Sequence, residues 1–132
     1  MRALLDTHVL LRWFASTSAL PPRQRKAIAA GSRSEPLLVS DISLWEVATL
    51  HELGRIRLGL PLRDWLDRVV GLAEVRRVSI SPAVAAEVAS LPATFHRDPA
   101  DRIIVASARV HRASLLTSDK RIVASGLTPT VS

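Results

Sequence analysis

The chain has 132 residues, 48% of them hydrophobic and 23% charged, which is enough for one domain with a single buried core and too apolar for wholesale disorder. It contains no cysteine, which excludes disulfides and thiolate metal sites and fits a reducing cytoplasm. No apolar run approaches the ~20 residues of a membrane-spanning helix, and the first residues lack the pattern of a secretory leader. Its 18 Lys and Arg against 12 Asp and Glu give a net charge of +6, which suits a polyanionic partner, although the 16 arginines alongside many alanines would also follow from a GC-rich coding sequence.

The chain alternates strands and helices from its start. Arg2–Leu5 predicts a short buried strand, and Thr7–Phe14 a helix carrying Val9, Leu10, Trp13 and Phe14. Pro21-Pro22 opens a basic helix that runs to about Ala30 and stops at Gly31. Leu37–Ser40 is a second strand, followed by a helix over Ile42–Leu53 that ends near Gly54. Pro61 begins a helix with Leu62, Trp65, Leu66, Val69 and Val70 at helical spacing. Val75–Ile80 predicts a third strand and Pro82–Leu91 a helix with Pro in its first turn. After the loop at Pro92–Arg97 come a helix over Pro99–His111, a strand over Ser114–Thr117, a short helix from Asp119 and an edge strand over Thr128–Val131. Short apolar strands separated by helices predict an α/β three-layer sandwich, a mostly parallel central sheet flanked by helices, in a single domain over residues 1–132.

Four acids occupy positions where solubility does not require them. Asp6 and Asp119 stand at strand-to-helix junctions, on the edge of a parallel sheet where ligands bind, and each is equally well placed as a helix N-cap. Asp98 before Pro99 reads as an N-cap, which accounts for it. Asp101 borders the apolar stripe Ala100, Ile103, Ile104, Ser107, Ala108 and is turned toward the same edge as Asp6. Glu46 shares a helix face with Ile42, Leu50 and Leu53, so its carboxylate is expected to be buried against a cation, either a metal or a paired arginine. Four converging carboxylates without sulfur or paired histidines suit Mg²⁺ or Mn²⁺ rather than zinc. The remaining residues are markedly basic, 18 against 8 acids, as a pocket for phosphodiester chemistry would require. Arg97, Arg102 and Lys120 are candidate phosphate contacts beside the acids, or else ordinary surface charges. His8 and His96 flank acids without forming a nucleophile triad, and no Gly-rich nucleotide loop is present. A receiver-type phosphoacceptor domain would need an acidic pair after the first strand and an Asp ending a central one; Asp6-Thr7-His8 and Val75–Ile80 supply neither.

The segments Leu4-Leu5-Asp6-Thr7-His8, Ser40-Asp41-Ile42-Ser43-Leu44-Trp45-Glu46, His96-Arg97-Asp98-Pro99-Ala100-Asp101-Arg102 and Leu116-Thr117-Ser118-Asp119 resemble, in order and spacing, the PIN-domain ribonucleases. Within them the chain resembles the VapC-like toxins of toxin–antitoxin pairs. The resemblance spans nearly the whole chain and implies a PIN fold and a metal-dependent endoribonuclease. It carries the four acidic positions onto Asp6, Glu46, Asp101 and Asp119 as catalytic and metal-holding residues, with Thr117 as a neighbour that helps hold the site, and leaves the role of Asp98 open. It also implies an RNA substrate (tRNA or rRNA among the candidates), a cognate antitoxin that covers the acidic groove, and a homodimer, all in the cytoplasm. The apolar helices around Trp45, Leu50, Leu53, Trp65, Leu66 and Val69 are either core or the surface for such partners. The rival expectations are a silent RNA-binding PIN domain, and a nuclease that processes RNA or cuts DNA.

Overall fold

The computed structural model describes residues 2–132, and among them the chain forms five strands and seven α-helices. In chain order these are β1 (Ala3–Leu5), α1 (Thr7–Ala15), α2 (Pro22–Ala29), β2 (Leu37–Ser40), α3 (Asp41–Glu52), α4 (Leu62–Gly71) and β3 (Val75–Val78). They continue with α5 (Pro82–Ser90), α6 (Pro99–Val110), β4 (Ser114–Leu116), α7 (Lys120–Ser125) and β5 (Thr130–Val131). The strands form one sheet in the order β3-β2-β1-β4-β5, and every pairing is parallel. β1 lies at the centre, with Leu4 opposite Leu38 on one side and Leu115 on the other.

Two cores follow from the two-residue period of a strand, which sends successive side chains to opposite faces. Ala3, Leu5, Leu37, Val39 and Leu116 face one way and pack with Val9 and Leu10 of α1, Val47 of α3, and Trp65 and Val69 of α4. Leu4, Leu38 and Leu115 face the other way and pack with Val84 of α5, Ile104, Val105 and Ala108 of α6, and Ile122 of α7. Both faces are therefore dry, and the three-layer sandwich with a parallel sheet is the observed architecture. α6 is the most thoroughly buried helix, with seven of its residues enclosed.

β2 matches the predicted Leu37–Ser40, and the other strands are shorter than the sequence pattern predicts. β3 ends at Val78, two residues before Ile80, because the chain turns into Ser81, whose side chain accepts from the Val84 N–H and caps α5. β4 ends at Leu116 and β5 is reduced to Thr130–Val131. β3 also departs from the uniformly apolar pattern: Val75 and Val78 are buried, while Arg76 and Arg77 between them are exposed at the sheet edge. Charges on an outer strand discourage pairing with another chain.

Gly31 lies where the turn after α2 crosses β2. A Cβ at this position would stand 2.6 Å from Leu37 Cγ, inside the core. Gly71 ends α4 with nothing within 4 Å of its absent side chain. Gly31→Ala is expected to lower stability by about 1–3 kcal/mol, as overpacking of a filled core does. Gly71→Ala should be neutral or stabilising by up to about 1 kcal/mol. Urea unfolding of the two variants beside the parent checks both signs.

Candidate functional site

In an all-parallel sheet the carboxyl ends of the strands share one edge, and the helices that follow begin there. β1 runs into Asp6 and α1, β2 into α3, and β4 through Thr117 and Ser118 into Asp119 and α7. α6 brings its N-terminus to the same edge. A cleft of about 310 Å³ opens at this place, and Asp6, Glu46, Asp98, Asp101 and Asp119 all line it. The four acids singled out from the sequence converge, and Asp98 joins them.

Every cleft carboxylate except Asp101 is held by a local backbone or hydroxyl donor. Asp6 is buried and caps α1, its Oδ1 accepting from the Val9 N–H at 2.8 Å. Asp119 caps α7, its Oδ1 accepting from the N–H groups of Arg121 at 2.8 Å and Ile122 at 3.2 Å. Asp98 caps α6 and accepts from the Asp101 N–H at 3.0 Å. Capping and lining the cleft are therefore combined in the same side chains rather than alternatives. Glu46 accepts a hydrogen bond from the Thr7 hydroxyl, which also lies 3.0 Å from Ser43 Oγ. Its partner is thus a neutral hydroxyl and not the arginine that its sequence environment allowed. Thr117 is fully buried and holds the site from beneath, accepting from the Asp119 N–H at 3.1 Å and hydrogen-bonding with Asp6.

The crowded charge shows in the acidities. Burial, and then repulsion from Asp98, Asp119, Glu46 and Asp6, push the Asp101 carboxyl up to about 7. Burial raises Glu46 against the opposing hydrogen bond from Thr7, and the Asp98 charge adds to the rise. Burial likewise raises Asp6, although its bonds to Thr117 and Val9 pull the other way. His96 Nε2 lies 3.3 Å from Asp101 Oδ2, at ion-pair distance but outside hydrogen-bond geometry.

Among the predicted phosphate contacts, Arg102 needs correction. Arg102 is only 8% exposed and points away from the cleft. Its guanidinium donates to the carbonyls of Phe95 at 3.2 Å and His96 at 3.4 Å and lies over the Phe95 ring, tying the loop before α6 to the helix. Arg97 and Lys120 are exposed outside the cleft lining. The basic side chains that do line the cleft are those of Arg12 and Arg121, with the His8 imidazole beside them. Arg121 reaches Asp119 Oδ2 at 3.7 Å and Asp101 Oδ2 at 4.0 Å and remains largely exposed. A sequence signal for Arg12 existed: His8 and Arg12 are four residues apart on the helix that starts at Asp6, and so share a face. The expected apolar face around Glu46 also differs. Ser43 and Val47 are the buried residues of α3, while Leu53 is 59% exposed.

The donor set is carboxylate oxygen throughout, and burial together with the neighbouring negative charges keeps Asp101 from ionising readily. That fits a hard divalent cation. Among the described residues no three His, Asp or Glu side chains stand together closely enough to hold a metal ion as they are placed, so the carboxylates ring an open cleft rather than a ready-made metal site.

The profile of the PIN domain family matches residues 3–125. The chain is 42% identical over 120 residues to Ribonuclease VapC22 of Mycobacterium tuberculosis (strain ATCC 25618 / H37Rv), covering 90% of this chain and 88% of that protein. Among solved structures it resembles VapBC2 from Rickettsia felis bound to a DNA fragment from their promoter, with a TM-score of 0.73 at 14% identity over 99% of this chain and 98% of that one. It also resembles a toxin–antitoxin complex from Klebsiella pneumoniae, with a TM-score of 0.67 at 23% identity over 98% and 96%. At such identities the two structures speak to the fold alone. The chain belongs to the PIN-domain family and resembles its VapC-like members.

Two expectations follow from this geometry. A carboxyl raised in the folded state binds more protons than the unfolded chain between its two pKa values, so stability falls as pH rises through that window. For Asp101 the window runs from 3.8 to about 7. In EDTA the melting temperature should therefore drop between about pH 4 and about pH 7. Mg²⁺ should raise it more at the higher pH, and Asp101→Asn should flatten the EDTA profile. Separately, Arg102→Ala should destabilise by about 2–3 kcal/mol, because three-centre support of the loop carbonyls is lost. Lys120→Ala should stay within about 0.5 kcal/mol of the parent. Thermal and urea unfolding read both.

Proposed function

We propose that the chain is a Mg²⁺-dependent endoribonuclease, the toxin component of a toxin–antitoxin pair, with Mn²⁺ able to substitute. One observation carries this reading: carboxylates from four separated segments of the chain meet in a single cleft that also presents Arg12 and Arg121. Carboxylates alone would repel a phosphodiester, and arginines alone would bind it without hydrolysis. The name of the ribonuclease relative supports RNA as the substrate, and the toxin–antitoxin structures of the same fold support an antitoxin partner. A homodimeric assembly and a cytoplasmic location complete the proposal; among the described residues no helix is long and apolar enough to cross a membrane.

Asp6 and Asp101 are the principal metal-holding residues in this reading, directly or through water, with Glu46 and Asp119 completing the set. When bound, the cation supplies charge to stabilise the phosphoryl oxygens, activates water and assists the leaving oxygen. The remaining work falls to the protein. Thr7 fixes the Glu46 carboxylate by its hydrogen bond, and Thr117 ties the Asp6 and Asp119 turns together beneath the cleft. Either Glu46 or Asp119 orients the attacking water. Arg12 and Arg121 hold the phosphates on each side of the bond to be broken, with Arg121 exchanging its carboxylate contacts for the substrate. Because Asp6 and Asp119 are also caps, the position of their carboxylates is fixed by the helices they begin.

The test is cleavage of a panel of tRNA, rRNA and single-stranded DNA by the purified chain in Mg²⁺, in Mn²⁺ and in EDTA. RNA should be cut only with metal. Asp6→Asn and Asp101→Asn, both folded, should each lose about a hundredfold or more in kcat/KM. Cleavage confined to DNA would sink the ribonuclease reading, and metal-independent RNA binding without cleavage would leave a silent RNA-binding domain.

A further inference from the structure

A second pocket opens beside the acidic cleft and shares two of its walls. It encloses about 610 Å³, and Glu46 and Asp98 line both spaces. Its surface is otherwise mainly apolar, formed by Ile42 and Trp45 of α3, Ile80 from the turn after β3, and Pro99 at the start of α6. Trp45 is 61% exposed and Ile80 45% exposed, whereas the core tryptophan Trp65 is 4% exposed. The fold therefore leaves the indole of Trp45 largely uncovered and outside both cores. Asp41 stands at the pocket rim, and Arg77 on the outer strand reaches it at 2.8 Å while its own side chain stays exposed.

We propose that this pocket receives one unpaired nucleobase of the RNA, next to the bond that is cut, stacked on the indole of Trp45. The inference rests on the nuclease reading above. Whatever occupies the pocket lies directly across Glu46 and Asp98 from the cleft, so a strand whose phosphate sits among the acids has its neighbouring base at this opening. An exposed indole is a stacking platform for a flat, apolar ring, the usual way that single-stranded RNA is held by protein. The rim favours a base over a protein side chain. Asp41, Glu46 and Asp98 are acceptors that match the exocyclic amines of cytosine, adenine and guanine. Arg77, at the outer side of Asp41, is placed to meet the next phosphate along the strand. Bases with an exocyclic amine should accordingly be preferred over uracil at this position.

Trp45 is exposed, so its substitution leaves both cores intact. The chain silenced by Asp101→Asn is titrated with short single-stranded RNA homopolymers, following tryptophan fluorescence and affinity. Quenching should accompany binding and vanish in Trp45→Phe, which keeps an aromatic face and binds within about twofold of the parent. Trp45→Leu, apolar but without a ring, should weaken binding about fivefold or more, the effect of losing one base–aromatic stack. In the active chain Trp45→Leu should raise KM with kcat little changed, and an RNA lacking the base beside the cleavage site should be cut equally by both. RNA cleavage with Trp45→Leu unaltered in affinity and KM would overturn the pocket and leave the nuclease reading standing. A change of solution mass in Trp45→Leu without loss of RNA affinity would overturn it in favour of a protein contact. Failure of the parent chain to bind or cut any RNA would overturn both.

Discussion

Crowded negative charge at the carboxyl edge of the sheet is the constraint around which the molecule is arranged. Asp101 carries it most visibly, with its carboxyl pushed to about 7 by burial and by the four acids that face it. Like charges brought together in a partly dry cleft drive one another apart unless each is fixed by something stronger than its neighbours' repulsion. Here the fixing groups are helix N-termini and buried hydroxyls. The N–H groups of Val9, Asp101, Arg121 and Ile122 hold Asp6, Asp98 and Asp119, and Thr7 and Thr117 hold Glu46 and the turn beneath Asp119. Positive helix ends stabilise nearby carboxylates, so the topology that gathers the acids also supplies part of what makes their gathering tolerable.

The sheet order explains why the acids can come from such distant segments. β1 is central, and the strands beside it, β2 and β4, deliver α3 and the Thr117–Asp119 turn to either side of Asp6. α6 lies on one face of the sheet and α1 and α3 on the other, so Asp101 and Glu46 approach from opposite layers across the edge. The cleft is thus a property of the sandwich as a whole. Its geometry depends on both cores, which is why a contact as remote as Gly31 against Leu37 in β2 bears on the element that leads into α3.

Much of this was legible in the residues because strands and caps leave local signatures. The apolar triplets, the prolines at first turns and the junction acids located the elements and the four carboxylates to within a residue or two. The departures at Arg102 and Lys120 share one cause. Arg102 and Lys120 are neighbours in sequence of acids that line the cleft, but on a helix the next residue is turned by about 100° and faces another surface. Arg102 turned onto the Phe95 loop and Lys120 into solvent, while Arg12 and Arg121, a turn or two residues farther along, entered the cleft. α3 failed differently. Its apolar residues surround the axis, so periodicity could not tell which face would be covered, and Trp45 and Leu53 stayed exposed.

That same ambiguity in α3 has a physical consequence. A helix with apolar side chains on several faces contributes one face to the core and leaves the others uncovered unless function or assembly covers them. α3 gives Val47 to the first core, Glu46 to the cleft and Trp45 to the adjoining pocket, three successive residues with three environments. Since consecutive positions are rigidly related around the helix axis, the seating of Val47 in the core fixes the direction of both its predecessors. Packing on the dry side of α3 therefore sets the register of a carboxylate and an indole on its wet side, with no loop between them to absorb an error.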